Sequence, residues 1–434
     1  MNRTISSSFI SFALVSAALA GCGGQGSNGG QQQTVVTKSN AQRVTSPQVS
    51  ADDSATFAFD NEAFALAAYQ KMVPRDGNIV FSPASISIAL AMAYAGAAGT
   101  TASEMAAALR YTLPPERLHP AFDALDLAIN SRGKDKQGAD GGPMRLHVVN
   151  AAWAERTHTF KDDYLDILAT SYGAGINLLD FVTGSESARL TINAWVAGQT
   201  ENKIRDLLPP GAVDSSTALV LTNAVYFNAA WKQAFDPQKS YDFSFTLLDG
   251  SEVTTKFMGA ELANTPAMQG AGFVAVELPY QDEQLSMLVV VPDSGTFASF
   301  ESSLDAAKLD SIVAGLTPQT VLLSLPRFKV ETGQSLEDLL MALGMTSAFV
   351  SGSADFSGMD GTHNLYISKV IHKAFIDVAE KGTEAAAATA VVMNLGAMPI
   401  GFNIDATRPF LYFLRDKPTG AILFMGRVLD PTKN

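Results

Sequence analysis

The sequence predicts an α+β fold with large, mainly antiparallel sheets. Helical apolar spacing dominates the first part of the chain and strand-like runs dominate the rest. Ala218 to Phe227 is an unbroken apolar run, suited to the middle of a sheet covered on both faces. The chain has 434 residues, 47% of them hydrophobic, which is ample for one large core. No repeat and no internal domain boundary interrupts the folded part.

Taken in order, the N-terminus reads as an address. Arg3, an apolar run from Phe9 to Ala20 and the small-residue site Leu19-Ala20-Gly21-Cys22 have the form of a secretory signal, residues 1–21. The apolar run is too short to span a bilayer comfortably. Cys22 is the sole cysteine, and its setting resembles a bacterial lipobox, whose cysteine is lipidated. Gly23 after it resembles the outer-membrane signal of Gram-negative lipoproteins. The expected location is therefore exported and lipid-anchored to the outer membrane or cell surface, with the domain in the periplasm or extracellular space. No disulfide can form within the mature chain, so packing alone must hold the core. Residues 22–52 read as the lipidated cysteine and a flexible Gly/Ser/Gln tether, and 53–434 as a single domain.

Phe59, Ala63, Leu66, Ala67 and Tyr69 give helical spacing over Phe57 to Met72. Asn78 to Phe81 is a short strand ended by Ser82-Pro83, with the proline near the first turn of a buried helix, Ala84 to Gly96. Thr100 to Glu104 caps a helix reaching Leu109, and another helix covers Pro115 to Asn130. Strand-like Leu146 to Trp153 follows, then helices over Lys161 to Ser171 and Ser185 to Leu208, the latter broken near Thr200. After Ala218–Phe227 come strands at Asp242 to Leu248, Val253 to Met258, Phe273 to Leu278 and Leu285 to Val291. A helix at Phe300 to Leu316, a strand at Val321 to Val330 and a helix at Leu336 to Leu343 precede the strand Lys369 to Val378. Two β runs, Phe402 to Leu414 and Ala421 to Val428, close the chain.

The formal net charge of -13 and the lack of any basic run argue against nucleic acid and against a heparin-like polyanion cofactor. None of the five histidines pairs at metal spacing. No Gly-x-Ser-x-Gly elbow and no Walker loop occur, and Gly21-x-Gly23-x-x-Gly26 is low complexity. An enzyme is not expected, nor is a metal or a cofactor.

The remaining feature is Glu380-Lys381-Gly382-Thr383-Glu384 followed by Ala385, Ala386, Ala387, Ala388, Thr389 and Ala390. A short Glu-Ala helix and a flexible linker are two readings, since Ala is the best helix former. The third is a ladder of small side chains that slides into a packed place. With the strand before it, Ile367 to Ala379, this segment resembles the fifth strand and hinge of serpins. So do Asn78 to Ser85, Ile192 to Val196 with Thr200, Lys203 and Ile204, Leu221 to Phe227 with Trp231, Leu325 to Phe328, Arg408 to Phe410 and Leu423 to Val428. Their order and spacing together identify the chain as similar to that family, and Cys22 suggests a bacterial lipoprotein-type member.

The resemblance implies three β-sheets, eight to nine helices and an exposed reactive-centre loop at about 380–401. It implies a monomeric, metastable suicide inhibitor of serine endopeptidases. The protease cleaves the loop and is trapped as an acyl-enzyme when the loop inserts into the central sheet, a known case of strand addition. It also implies a polar shutter of Ser82, Ser85, Asn223 and His372, and a breach tryptophan, Trp231. An inserting strand sends alternate side chains inward, here Thr383, Ala385, Ala387 and Thr389, none large or charged. Counting from the hinge puts the scissile bond at Gly396-Ala397, and counting back from Phe402 puts it near Asn394. The expected window is Met393, Asn394, Leu395, Gly396 and Ala397. No Arg or Lys lies between Lys381 and Arg408, so trypsin-like proteases, whose specificity pocket holds an acid, fit poorly. Elastase-, chymotrypsin- or subtilisin-like enzymes fit better, and papain-like cysteine proteases remain open. The alternative is a non-inhibitory family member acting as a binding or carrier module.

Overall fold

Local sequence signals set most element boundaries. In the computed structural model, which describes residues 30–72, 76–383 and 401–434, the first helix runs Ala51–Met72. It starts earlier than its apolar spacing shows, because the Ser50 hydroxyl accepts from the Asp53 N–H at 3.0 Å. The helix Pro83–Tyr94 has Pro83 in its first turn and the Ser82 hydroxyl as its cap, and every residue before Tyr94 is buried. Its neighbours are Gly99–Leu109 and Pro115–Ser131.

A seven-stranded sheet has the order Val35–Thr37, Ile176–Leu179, Arg145–Glu155, Leu219–Ala230, Gly382–Thr383, Ile367–Ala379, Phe328–Ser335. All twelve residues of Leu219–Ala230 are buried. The main core covers one face of this strand through Leu219, Leu221, Val225 and Phe227. A second cluster on the other face joins Val220 and Ala224 to Phe181, Ala188, Ile192 and Val196 of the helix Phe181–Gln199. That helix therefore lies across the sheet, and the absence of alternation in the strand is explained by cover on both sides.

A second sheet of nine strands contains Glu252–Gly270, Phe273–Pro279, Leu285–Pro292, Thr317–Pro326, Phe402–Asp405, Phe410–Asp416 and Ile422–Val428. The resemblance implied three sheets. By hydrogen bonding the other two are one, because the 19-residue strand Glu252–Gly270 carries Ser240–Thr246 along its first half and Phe273–Pro279 at its far end. Ten α-helices occur among the described residues, three of them six residues or shorter.

Three expectations need correction. The tether read as residues 22–52 is bound to the body wherever it is described beyond Gly30: Gln31–Asn434 is one compact unit. Val35–Thr37 pairs antiparallel with Ile176–Leu178 at the sheet edge. The Gln32 side chain donates to the carbonyls of Asp180 and Gly184, both at 2.8 Å. Arg43 bridges Asp123 and Asp126 at 2.8 and 2.6 Å. Polar composition hid this, since the binding uses backbone and side-chain hydrogen bonds rather than apolar burial. Second, the run Phe402 to Leu414 divides into Phe402–Asp405 and Phe410–Asp416, on different neighbours. Ala406 and Thr407 make the crossing: the Ala406 N–H donates to Ser324 O and Thr407 O accepts from the Thr246 N–H. Third, residues 200–208 are not helical, and Phe300 to Leu316 divides between Phe297–Ser302 and Ala306–Gly315.

Candidate functional site: a seam in the seven-stranded sheet

Leu219–Ala230 and Ile367–Ala379 pair parallel from Ile367 opposite Leu219 to Ala374 opposite Val225. Beyond that point the two strands separate. Gly382–Thr383 sits between them, antiparallel to both, with Gly382 opposite Ala230 and Ala379, and Thr383 opposite Ala229 and Val378. Gly382 and Thr383, which lead into the run of small side chains, thus occupy the gap between the two strands.

The fit at the mouth of the slot is close. A Cβ on Gly382 would lie 2.0 Å from Ala229 O and 2.8 Å from Ala230 Cα, both backbone atoms. Only glycine allows this approach. Thr383 is fully buried, its hydroxyl 2.6 Å from that of Tyr280. Tyr280 stacks on Trp231, with ring centroids 4.4 Å apart at 17°. The Trp231 indole N–H donates to Ala379 O at 3.0 Å, and its backbone N–H donates to Lys381 O at 2.9 Å. Glu380, at the turn, is 5% exposed. Burial works against its charge, but bonds from Arg327 and Ser240 outweigh this and hold its carboxyl below the usual range. Strand, turn and slot are therefore held together by one polar and aromatic cluster.

Lower on the seam, His372 and Asn223 are register partners across the parallel pair. The Ser82 N–H donates to His372 Nε2 at 3.1 Å. This leaves the proton on Nδ1, which faces Asn223 Oδ1 within hydrogen-bond distance. Asn223 Nδ2 donates to the Ser85 hydroxyl and to Asn150 Oδ1, the latter at 2.5 Å. Ser85 also donates to Asn150 at 3.0 Å. Burial pushes His372 down to about 3, so it is neutral near pH 7. The structure brings Ser82, Ser85, Asn223 and His372 into one network that spans the parallel pair Leu219–Ala230 and Ile367–Ala379.

Sequence reasoning missed Asn150, Tyr280, Ser240 and the pairing of Arg327 with Glu380. Asn150 is the register partner of Asn223 on the next strand, a polar residue inside an apolar run, which was a usable signal. Nothing local marks Tyr280 or Ser240, since each acts on a residue about a hundred or more positions away. The hinge residues Glu384, Ala385, Ala386, Ala387, Ala388 and Thr389, the window Met393 to Ala397 and Cys22 lie outside the described residues. Among the described residues no group of three His, Cys, Asp or Glu side chains could hold a metal ion.

A family model described as serpin (serine protease inhibitor) matches residues 60–431. The chain belongs to the serpin family. This serpin is 36% identical over 374 residues to an uncharacterized serpin-like protein of Thermococcus kodakarensis, covering 85% of this chain and 84% of that one. It is 37% identical over 381 residues to the leukocyte elastase inhibitor of Homo sapiens, covering 86% and 98%. Among solved structures it is similar to the thermophilic serpin tengpin in its native state, with TM-score 0.79, 26% identity and coverage of 91% and 99%. It is also similar to thyroxine-binding globulin in complex with thyroxine, with TM-score 0.77, 27% identity and coverage of 87% and 99%. Membership places this serpin among protease inhibitors rather than catalysts as a class.

Proposed function

We propose that this serpin is an irreversible inhibitor of serine endopeptidases that traps its target by inserting the cleaved loop into the seven-stranded sheet. One observation carries the reading: Gly382–Thr383 already lies antiparallel between two strands that below it pair parallel. Full insertion replaces one parallel ladder by two antiparallel ones, and parallel pairing is the slightly weaker kind. A net gain on the order of ten hydrogen bonds at ~1 kcal/mol each is comparable to a whole domain's stability of ~5–15 kcal/mol. That drive is large enough to distort a covalently attached enzyme.

The loop sequence favours elastase-, chymotrypsin- or subtilisin-like targets, with Leu395 the best anchor for the last two, and leaves papain-like cysteine proteases open. Incubation with one protease of each class tests this. A complex surviving SDS supports inhibition, and clean cleavage of every chain without a complex contradicts it. That second outcome would instead favour a carrier role, which the likeness to thyroxine-binding globulin motivates. Cys22 is the proposed lipid anchor of an exported, bacterial lipoprotein-type protein. Absence of fatty-acid label on wild type expressed in a lipoprotein-processing bacterium would remove that part.

A further inference from the structure

A cleft of about 520 Å³ lies among four helices and shares no lining residue with the seam. Its walls come from the end of Pro83–Tyr94 and from Gly99–Leu109, Pro115–Ser131 and Asp162–Tyr172. Protein interiors are close-packed, so a gap of this size between helices needs a cause. Here the cause is small side chains: Ala97 and Ala102 offer one methyl group each where larger groups would close the space. Tyr94, Pro120 and Ile167 keep the rest of the wall apolar. The volume is that of a small-molecule site, roughly 300–1,000 Å³.

One polar group interrupts this wall. His119 is 5% exposed, and its Nδ1 is 2.7 Å from the Tyr172 hydroxyl. Nε2, on the far side of the ring, has no hydrogen-bond partner among the described residues. It is not sealed inside the protein either, so it opens onto the cleft that His119 lines. The tautomer follows from Tyr172. Burial holds that phenol well above its ordinary range, so it keeps its proton. His119 is its hydrogen-bond partner, and no other occurs among the described residues. The hydroxyl therefore donates to Nδ1, since otherwise its buried proton would lack an acceptor. That leaves the imidazole proton on Nε2. Burial pushes His119 down to about 4, so the ring is neutral at pH 7. Among the described residues lining the cleft Glu116 alone is charged, and it is exposed.

We propose that this cleft binds a neutral aromatic ketone, a flat ring system whose carbonyl accepts from His119 Nε2 and whose rings lie against Tyr94 and Ile167. Three features select that chemistry. A buried donor without an acceptor costs free energy, which a ligand carbonyl recovers. A wall with one acid and no cation disfavours a carboxylate or a phosphate. Tyr94 sets its ring 6.4 Å from His119 at 44°, an aromatic corner that suits a ring edge. The site involves no part of the reactive loop, so it stands apart from the inhibitory reading.

The test titrates the full chain with propionyl-dimethylaminonaphthalene, a neutral aryl ketone whose emission shifts to the blue in apolar surroundings. Propionylnaphthalene and propylnaphthalene, which differ in the carbonyl, compete with it. The proposal predicts saturable binding of one dye per chain. It predicts displacement by the ketone at about tenfold lower concentration than by the hydrocarbon, the order of one hydrogen bond to a buried donor. His119→Asn keeps an acceptor for Tyr172 and removes the Nε2 donor. It should erase the tenfold difference and leave displacement by the hydrocarbon unchanged. Ala102→Phe fills the cleft and should abolish dye binding while circular dichroism stays that of wild type. Should His119→Asn fail to fold, Ala102→Phe and the wild-type ratio decide. The proposal is overturned by any of four results: no saturable binding to wild type, equal displacement by ketone and hydrocarbon, a tenfold difference that persists in His119→Asn, or unchanged binding in Ala102→Phe.

Discussion

His372 is fully buried on the seam and has two partners, the Ser82 N–H and Asn223 Oδ1. Replacing it with Ala leaves the Ser82 N–H and Asn223 Oδ1 buried and short of a partner. The expected loss is ~1–3 kcal/mol at neutral pH, measured by thermal or denaturant unfolding. The loss depends on pH in a definite direction. His372 titrates at about 3 in the folded chain, below the ordinary 6.5, so unfolding takes up a proton between those values. Its contribution is complete above about 6.5 and fades as the pH falls towards 3, by about 1.4 kcal/mol per pH unit. His119, pushed down to about 4 by burial, acts in the same sense. Glu62, pushed up to about 7 by burial and by Asp310, acts in the opposite sense. Both cancel in the difference between wild type and His372→Ala. That difference should shrink between pH 6.5 and 4.5, and a constant difference would show that His372 is not held neutral. Thr383 gives a second test. Thr383→Arg forces a charge into the space beside Tyr280, so the variant should be cleaved and released rather than trapped. Stable complexes at wild-type stoichiometry would reject the slot as the site of entry.

Among the elements, the strand Ile367–Ala379 was the most legible. Val370, His372, Ala374, Ile376 and Val378 alternate inward as their sequence spacing requires. The helix Pro83–Tyr94 was legible too, through its proline and its all-apolar surface. The segment before Ala51 was not. Its hold on the body comes from Gln32, a three-residue strand and Arg43, and none of these gives a periodic signal. The Arg43 contact has a measurable consequence. Asp123 is 1% exposed, and its Oδ2 has no hydrogen-bond partner among the described residues, so Arg43 supplies its compensating charge. Arg43→Ala should cost ~1–3 kcal/mol, more than the ~0–1 kcal/mol of an exposed pair. Adding Asp123→Asn should recover part of it in a double-mutant cycle. Equal stabilities for wild type and Arg43→Ala would mean that the segment is not held as described.

For the whole molecule, the α+β class and the buried central strand followed from composition and patterning. The joining of two sheets through Glu252–Gly270 did not, because pairing partners far apart in sequence leave no local trace. The candidate site divides in the same way: its glycine, histidine and small-residue ladder are sequence features, while Tyr280 and Ser240 reach it only through the fold. What unites these levels is a sheet whose two central strands are parallel and parted, with a third strand begun between them. The most direct measurement compares melting of the intact chain with that of chain nicked within residues 393–397. The account predicts that the nicked form melts much higher, with residues 384–392 protected from hydrogen exchange as a strand of the sheet. A nicked form that melts no higher, with those residues exchanging freely, would contradict it.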